Sequence, residues 1–239
     1  QTTAKTKRPI NMSDLSIPDV VLTDNTSQRL PCVLVLDGSA SMAQPRSGTD
    51  AIRELNDGLK ILEEELKSDD TAAQRVQLLI IRLGDDDQVS IIQDWTDAMD
   101  FRAPTIRANG RTPLGKAMRT ALDKIEEQKE NYRSHDIPYN RPWIFVITDG
   151  EPTDLDWEES AADCRLAEDE NKVVIFAVGT QDANFDALKS FSNREPVRLD
   201  GLKFRELFVW LSRSVSSGSK ASRDSEVQLP AVDWGKIST

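Results

Sequence analysis

The sequence predicts an α/β fold: a doubly wound, mostly parallel open sheet with one antiparallel edge strand and helices on both faces. Three observations predict it. Four nearly continuous apolar runs, at residues 32–36, 76–83, 143–147 and 173–178, read as strands buried on both sides. The segments between them carry apolar residues at helical spacing. The two kinds of segment alternate along the chain, as they do when βα units stack into a parallel sheet.

Taken in order, residues 1–29 are rich in Ser, Thr, Asp and Lys without a helical period, and read as an N-terminal arm. The first strand, 32–36, runs into Asp37. Ile52, Leu55, Leu59, Leu62 and Leu66 recur at steps of three and four and predict a helix with one apolar face. Strand 76–83 meets the turn Gly84-Asp85-Asp86-Asp87, so 89–93 is expected to fold back as an antiparallel edge strand. The three aspartates lack the spacing of an EF-hand loop and read as a solvated turn. Leu114, Met118, Ala121 or Leu122, and Ile125 mark the next helix. Strand 143–147, a less amphipathic helix over 157–171, strand 173–178, a helix and a short strand at 196–199 follow. Phe204, Leu207, Phe208, Leu211 and Val215 stripe a final helix. One domain, 30–216, holds all of this. Residues 217–239 form a C-terminal tail, of which 227–234 is expected to dock as an extended segment.

Composition removes several functions. The 239 residues carry 30 Lys and Arg against 41 Asp and Glu, a net charge of −11. Nucleic acid needs a basic face, and anionic lipid would repel this chain. No apolar run approaches the roughly 18 residues of a membrane span, and the first thirty residues hold no signal-peptide stretch. The chain starts at Gln1, which leaves a trimmed leader open. The one histidine, His135, lies in a polar loop-like stretch, and no Gly-x-Ser-x-Gly elbow accompanies it; a surface role is expected. Cys32 and Cys164 lack zinc-site spacing and read as buried thiols of a reducing compartment, the cytoplasm.

The chemistry gathers where strands end. Ligands of doubly wound sheets bind beyond the carboxyl ends of the strands, where strand order reverses. Asp37-Gly38-Ser39-Ala40-Ser41 follows the first strand and Thr148-Asp149-Gly150 follows the strand at 143–147. A glycine-bearing loop, Asn109-Gly110-Arg111-Thr112-Pro113, starts a helix between them. Such residues often serve as caps and turns. Their concentration at three strand-linked places instead favours a site for a hard cation. Asp, Ser and Thr all offer oxygen, and Mg²⁺ takes six oxygens at about 2.1 Å while keeping several waters. Two hydroxyls and one or two carboxylates do not saturate it, so an open coordination position is expected.

Asp-x-Ser-x-Ser, then a Thr loop, then Thr-Asp-Gly resembles the metal ion-dependent adhesion site of von Willebrand factor type A domains, over roughly residues 30–216. The resemblance implies that Ser39 and Ser41 bind Mg²⁺ directly, or Mn²⁺ or Ca²⁺ in its place. It implies that Thr112 binds directly or through water, and Asp37 and Asp149 mostly through water. A carboxylate from a partner protein takes the open position. The stretch from Val146 to Asp154, with Trp157 and the start Leu34-Val35-Leu36-Asp37, is similar to the bacterial TerY-type members. Those are linked to tellurium and toxic-anion resistance and stress signalling, which implies a protein kinase and a PP2C-type phosphatase as partners. Ala40 departs from the commoner glycine, and Arg111 stands where a second glycine is common, adding a positive charge beside the metal. The N-terminus of the helix starting near Pro113 is expected to add positive potential as well.

Two enzymes compete with a binding module. Gly110 to Lys116 fits Gly-x4-Gly-Lys of a P-loop NTPase, but Ala117 replaces the metal-binding hydroxyl and no buried strand precedes Gly110. Asp37 suits an aspartyl nucleophile, but Ser39 stands where such phosphotransferases carry a second carboxylate. The sequence favours a non-enzymatic module.

Overall fold

The computed structural model describes residues 27–46, 49–85, 87–180, 182–201, 203–221, 229–232 and 235–237. Residues 1–26 of the expected N-terminal arm and 222–228 of the tail lie outside them. Five strands build most of the sheet: β1 (Leu30–Asp37), β2 (Val76–Gly84), β3 (Gln88–Asp97), β4 (Trp143–Thr148) and β5 (Val174–Gly179). Two three-residue strands, β6 (Val197–Leu199) and β7 (Gly235–Ile237), complete it. The spatial order is β3-β2-β1-β4-β5-β6-β7. The run β2-β1-β4-β5-β6 is parallel, and β3 pairs antiparallel with β2. At the opposite edge β7 pairs antiparallel with β6. The chain leaves β1 toward β2 and β3, then returns to β4 on the other side of β1. Strand order therefore reverses between β1 and β4, which puts the ends of those two strands on either side of one crevice.

Helices cover both faces, which is why β1, β2 and β4 are buried throughout. Helix α1 (Ala51–Ser68) and helix α6 (Phe204–Lys220) pack with Leu30, Cys32, Leu34 and Leu36 on one face. Helix α3 (Leu114–Ser134) and helix α4 (Trp157–Asp169) pack with Val33 and Val35 on the other. Alternate side chains of one strand thus enter two separate cores, and neither set can be polar.

Several details were not expected. A short helix, α2 (Asp70–Arg75), precedes β2, capped by Asp69, whose carboxylate accepts from the N–H of Thr71 and Ala72. Helix α5 (Phe185–Ser190) is the one expected after β5. The edge strand β3 runs four residues past the expected 93, through register shifts opposite Leu78–Ile81. Of the segment 227–234, residues 229–232 are described: Leu229 packs on the core and the Pro230 carbonyl accepts from Trp210 Nε1 at 2.8 Å.

His135 is exposed just past α3, where Nδ1 lies 2.8 Å from the Asn131 carbonyl. Cys32 and Cys164 are free and buried. Burial pushes both thiols up, that of Cys164 to about 12. Among the described residues no helix is long and apolar enough to cross a membrane.

Candidate functional site

The β1–β4 crevice brings together the residues singled out by sequence. Asp37 ends β1 and is fully buried. The chain then turns so that the Ser39 N–H donates back to Asp37 Oδ1 at 2.8 Å. A single 3-10 turn over Ala40–Ala43 follows and brings Ser41 Oγ within 2.9 Å of Ser39 Oγ. Ser41 Oγ donates to Asp149 Oδ1 at 2.8 Å, across the crevice at the end of β4. Asp37, Ser39, Ser41 and Asp149 thus form one hydrogen-bonded chain. Thr112 approaches beside Asp149: a Cβ added at Gly150 would lie 2.9 Å from Thr112 Oγ1. The Thr112 carbonyl accepts from the Thr153 N–H at 2.9 Å, which ties its loop to the loop after β4. Asp37, Ser39, Ser41 and Asp149 meet at the switch point of the sheet, and Thr112 lies beside them against Gly150.

Sequence reasoning did not place Thr148 among the site residues. It is fully buried, and its hydroxyl donates to Asp37 Oδ2 at 2.5 Å while accepting from the Gly150 N–H at 3.1 Å. Burial is the main force on the Asp37 carboxyl and pushes it up. The hydrogen bonds from Thr148 and Ser39 pull it down, and the charge of Asp149 raises it again, leaving it at about 6. Two carboxylates converging with three hydroxyls form an oxygen-only donor set that suits a hard divalent cation, and positive charge there would relieve the ionised Asp37.

The electrostatics of the rim differ from the sequence expectation. The first turn of α3 does not present open N–H groups, because Asp154 already caps it. Its carboxylate accepts from Gly115 N–H at 3.2 Å and Lys116 N–H at 2.7 Å. A long-range contact supplies this cap, so nothing near Pro113 announces it. Arg111 is exposed and lies 3.8 Å from Asp87, which offsets part of its charge. The acidic turn is also more than solvated. Asp85 pairs with the buried Arg82, and that hydrogen bond is the main reason its carboxyl sits below the usual range. A lone arginine inside the apolar run 76–83 was the available signal, since a buried charge requires a partner.

The P-loop resemblance dissolves in the same region. Residues 101–113 run as irregular chain into α3, so no strand leads into the loop. Gly115 lies against α4, and Lys116 is exposed.

The family model of the von Willebrand factor type A domain matches residues 32–199. The chain belongs to that family. Domains of this family are generally protein-interaction modules, usually without enzymatic activity, and commonly bind a divalent metal at a metal ion-dependent adhesion site. Among solved structures, a von Willebrand factor type A protein from Catenulispora acidiphila is similar at TM-score 0.59 and 14% identity, covering 80% of this chain and 43% of its own. The pilus adhesin SpaC from Lactobacillus rhamnosus GG gives TM-score 0.63 and 13% identity, with 81% and 32% covered. The ArnB paralog from Sulfolobus acidocaldarius gives TM-score 0.55 and 16% identity, with 78% and 45% covered. The chain spans less than half the length of each, and at these identities the likeness is one of fold. No curated protein matches the chain.

Proposed function

We propose that residues 30–216 are a metal-dependent protein-interaction module in which Asp37, Ser39, Ser41, Thr112 and Asp149 hold one Mg²⁺, or Mn²⁺ or Ca²⁺ in its place. The observation that carries this reading is the hydrogen-bonded chain from Asp37 through Ser39 and Ser41 to Asp149, at the switch point of the sheet. When bound, the cation would supply a Lewis-acidic position for a further oxygen ligand. The protein's residues orient it: Thr148 and the Ser39 N–H fix the Asp37 carboxylate, and the Ser41 hydroxyl fixes that of Asp149. A carboxylate from a partner protein would be the ligand that such a cation recruits.

The finer reading is a cytoplasmic scaffold for a protein kinase and a PP2C-type phosphatase in stress or tellurite-resistance signalling. It is supported by the similarity of residues 146–154 to the TerY-type members. Calorimetric titration of EDTA-stripped protein with Mg²⁺ and Mn²⁺ tests the metal site. One ion per chain is expected, with binding lost in the Ser39→Ala/Ser41→Ala variant. An unchanged isotherm in that variant overturns the assignment. A kinase or phosphatase partner should be retained with Mg²⁺ and released by EDTA. Equal retention by Asp37→Ala in EDTA puts the contact elsewhere.

A further inference from the structure

We propose that Arg82 is the positioning residue of this metal site: its guanidinium ties together the loops that carry Ser39, Ser41 and Thr112. The inference rests on the metal reading above and extends it to residues outside the ligand set.

Arg82 is buried near the end of β2, next to β1 in the sheet. It reaches three separate pieces of chain. Nη2 donates to the Gly38 carbonyl at 3.3 Å, between Asp37 and Ser39. Nε and Nη2 donate to the Arg107 carbonyl at 3.1 and 2.7 Å, on the segment leading to Thr112. Nη1 and Nη2 grip the Asp85 carboxylate at the start of the hairpin turn. Asp85 passes the connection on. Its N–H donates to the Asn109 carbonyl at 3.0 Å, and its Oδ1 accepts from Asn109 Nδ2 at 3.3 Å. The Asn109 N–H returns to the Gly38 carbonyl at 2.7 Å, and the Ala40 N–H donates to the Gly110 carbonyl at 3.0 Å. The knot therefore closes on itself through β1, β2 and the 107–112 segment.

The knot is built tightly enough to need its glycines. A Cβ at Gly38 would lie 2.5 Å from Arg82 Nε. One at Gly84, whose φ is +142°, would lie 2.7 Å from both the Asn109 and Gly38 carbonyl oxygens. Upstream, Asn56 of α1 holds the N–H and carbonyl of Ile106, at 2.7 and 2.9 Å. From Arg107 to Gly110, the hydrogen bonds that fix the loop run through Arg82, Asp85, Gly38 and Ala40. Thr112 lies two residues beyond. A planar guanidinium with five donors can satisfy three acceptor sites at once, and an ammonium cannot reproduce that fork. Groups bonded directly to a metal's ligands are worth about 10–100-fold in metal affinity, and Arg82, which holds the ligand-bearing loops through Gly38 and Arg107, belongs at the lower end.

The test is a double-mutant cycle on the full chain, with Mn²⁺ as the probe, read by calorimetry after EDTA stripping. Arg82→Lys is expected to weaken Mn²⁺ binding about tenfold. In a Thr112→Ala background the same change should cost clearly less, because the tie then has no Thr112 to bring to Ser39 and Ser41. Asp85→Asn, which leaves Arg82 in place, should give a smaller loss in the same direction. Without metal, amide hydrogen exchange at residues 107–112 should accelerate in Arg82→Lys while β1 and β4 keep their protection. An equal loss in both backgrounds overturns the proposal, as does unchanged exchange in the loop. A loss in Thr112→Ala with none in Arg82→Lys overturns the positioning role alone. No loss in either overturns the metal reading with it.

Discussion

Replacing Gly115 by alanine separates a packing glycine from a phosphate-loop glycine. A Cβ at this position would stand 2.6 Å from the Trp157 Cα, 2.7 Å from Asp154 Oδ2 and 2.9 Å from Ser160 Oγ. Carbon atoms in contact prefer about 3.5–4.0 Å, so helix α4 must retreat by roughly 1 Å. Overpacking of this kind costs about 1–3 kcal/mol. Displacing Asp154 also endangers the cap on Gly115 and Lys116, worth about 1 kcal/mol. Alanine in place of glycine inside a helix returns about 1 kcal/mol. The last two nearly cancel, leaving a net destabilisation of about 2 kcal/mol. Urea unfolding in EDTA, followed by circular dichroism, should show a lower midpoint at unchanged slope. A variant as stable as the wild type, or more stable, refutes the packing argument. A phosphate-loop role predicts the reverse pattern, with stability kept and nucleotide binding lost.

Three further perturbations follow from contacts described above. Asp69 accepts from the Thr71 and Ala72 N–H groups, the Ser216 hydroxyl and Lys220. Burial tends to raise its carboxyl, but the bonds from Lys220, Ser216 and Ala72 outweigh it and hold the group well below its ordinary 3.8. The stability it adds is therefore present above about pH 4 and lost as the pH falls below that. Asp69→Asn should cost about 1–2 kcal/mol at pH 7 and lose less stability than wild type between pH 5 and 3, measured by urea unfolding. Thr148→Val keeps the side-chain shape but removes the donor to Asp37 and the acceptor for Gly150. It should cost about 2–3 kcal/mol in the same assay, and a change within 0.5 kcal/mol would deny that hydroxyl its role. Lys116→Ala should leave fluorescent-nucleotide binding and ATP turnover at the wild-type background. ATP hydrolysis by the wild type that disappears in Lys116→Ala would restore the P-loop reading.

The fold was legible where burial is two-sided. Residues 32–36 and 143–147 read as strands covered on both faces, and the structure extends the first by three residues and the second by one. Legibility fell where burial is partial or contacts are long-range. Strand β3 is half exposed and bulged, so its apolar pattern breaks after residue 93 and the true end at Asp97 is hidden. Helix α2 has six residues, too few for a period. Strand β7, Gly-Lys-Ile, has no strand pattern and is defined by its pairing with β6. At the site, the five oxygen-bearing residues were readable because each follows a strand or starts a helix. Their supports were not: Asp154 reaches α3 from 38 residues away in sequence, and Arg82 reaches Arg107 from 25.

The placement of Asp37 opposes stability and, on the proposed metal reading, serves the site. Its carboxyl rises from 3.8 to about 6, so ionising it in the folded chain costs about 3 kcal/mol at neutral pH. The sign is unfavourable: stability present below about pH 4 is lost as the pH rises through 6. Thr148 and the Ser39 N–H already lower the carboxyl as far as their hydrogen bonds allow, and Asp149 works against them. The remaining imbalance is negative charge, and a cation is what offsets it. The same reasoning governs the partner. Asp154 has claimed the first N–H groups of α3, and Asp87 draws on Arg111. On a chain of net charge −11, the attraction for the carboxylate of a proposed partner would then have to come mainly from a cation held between Asp37 and Asp149. On the proposed reading, divalent metal would be the condition for the contact instead of an accessory to it.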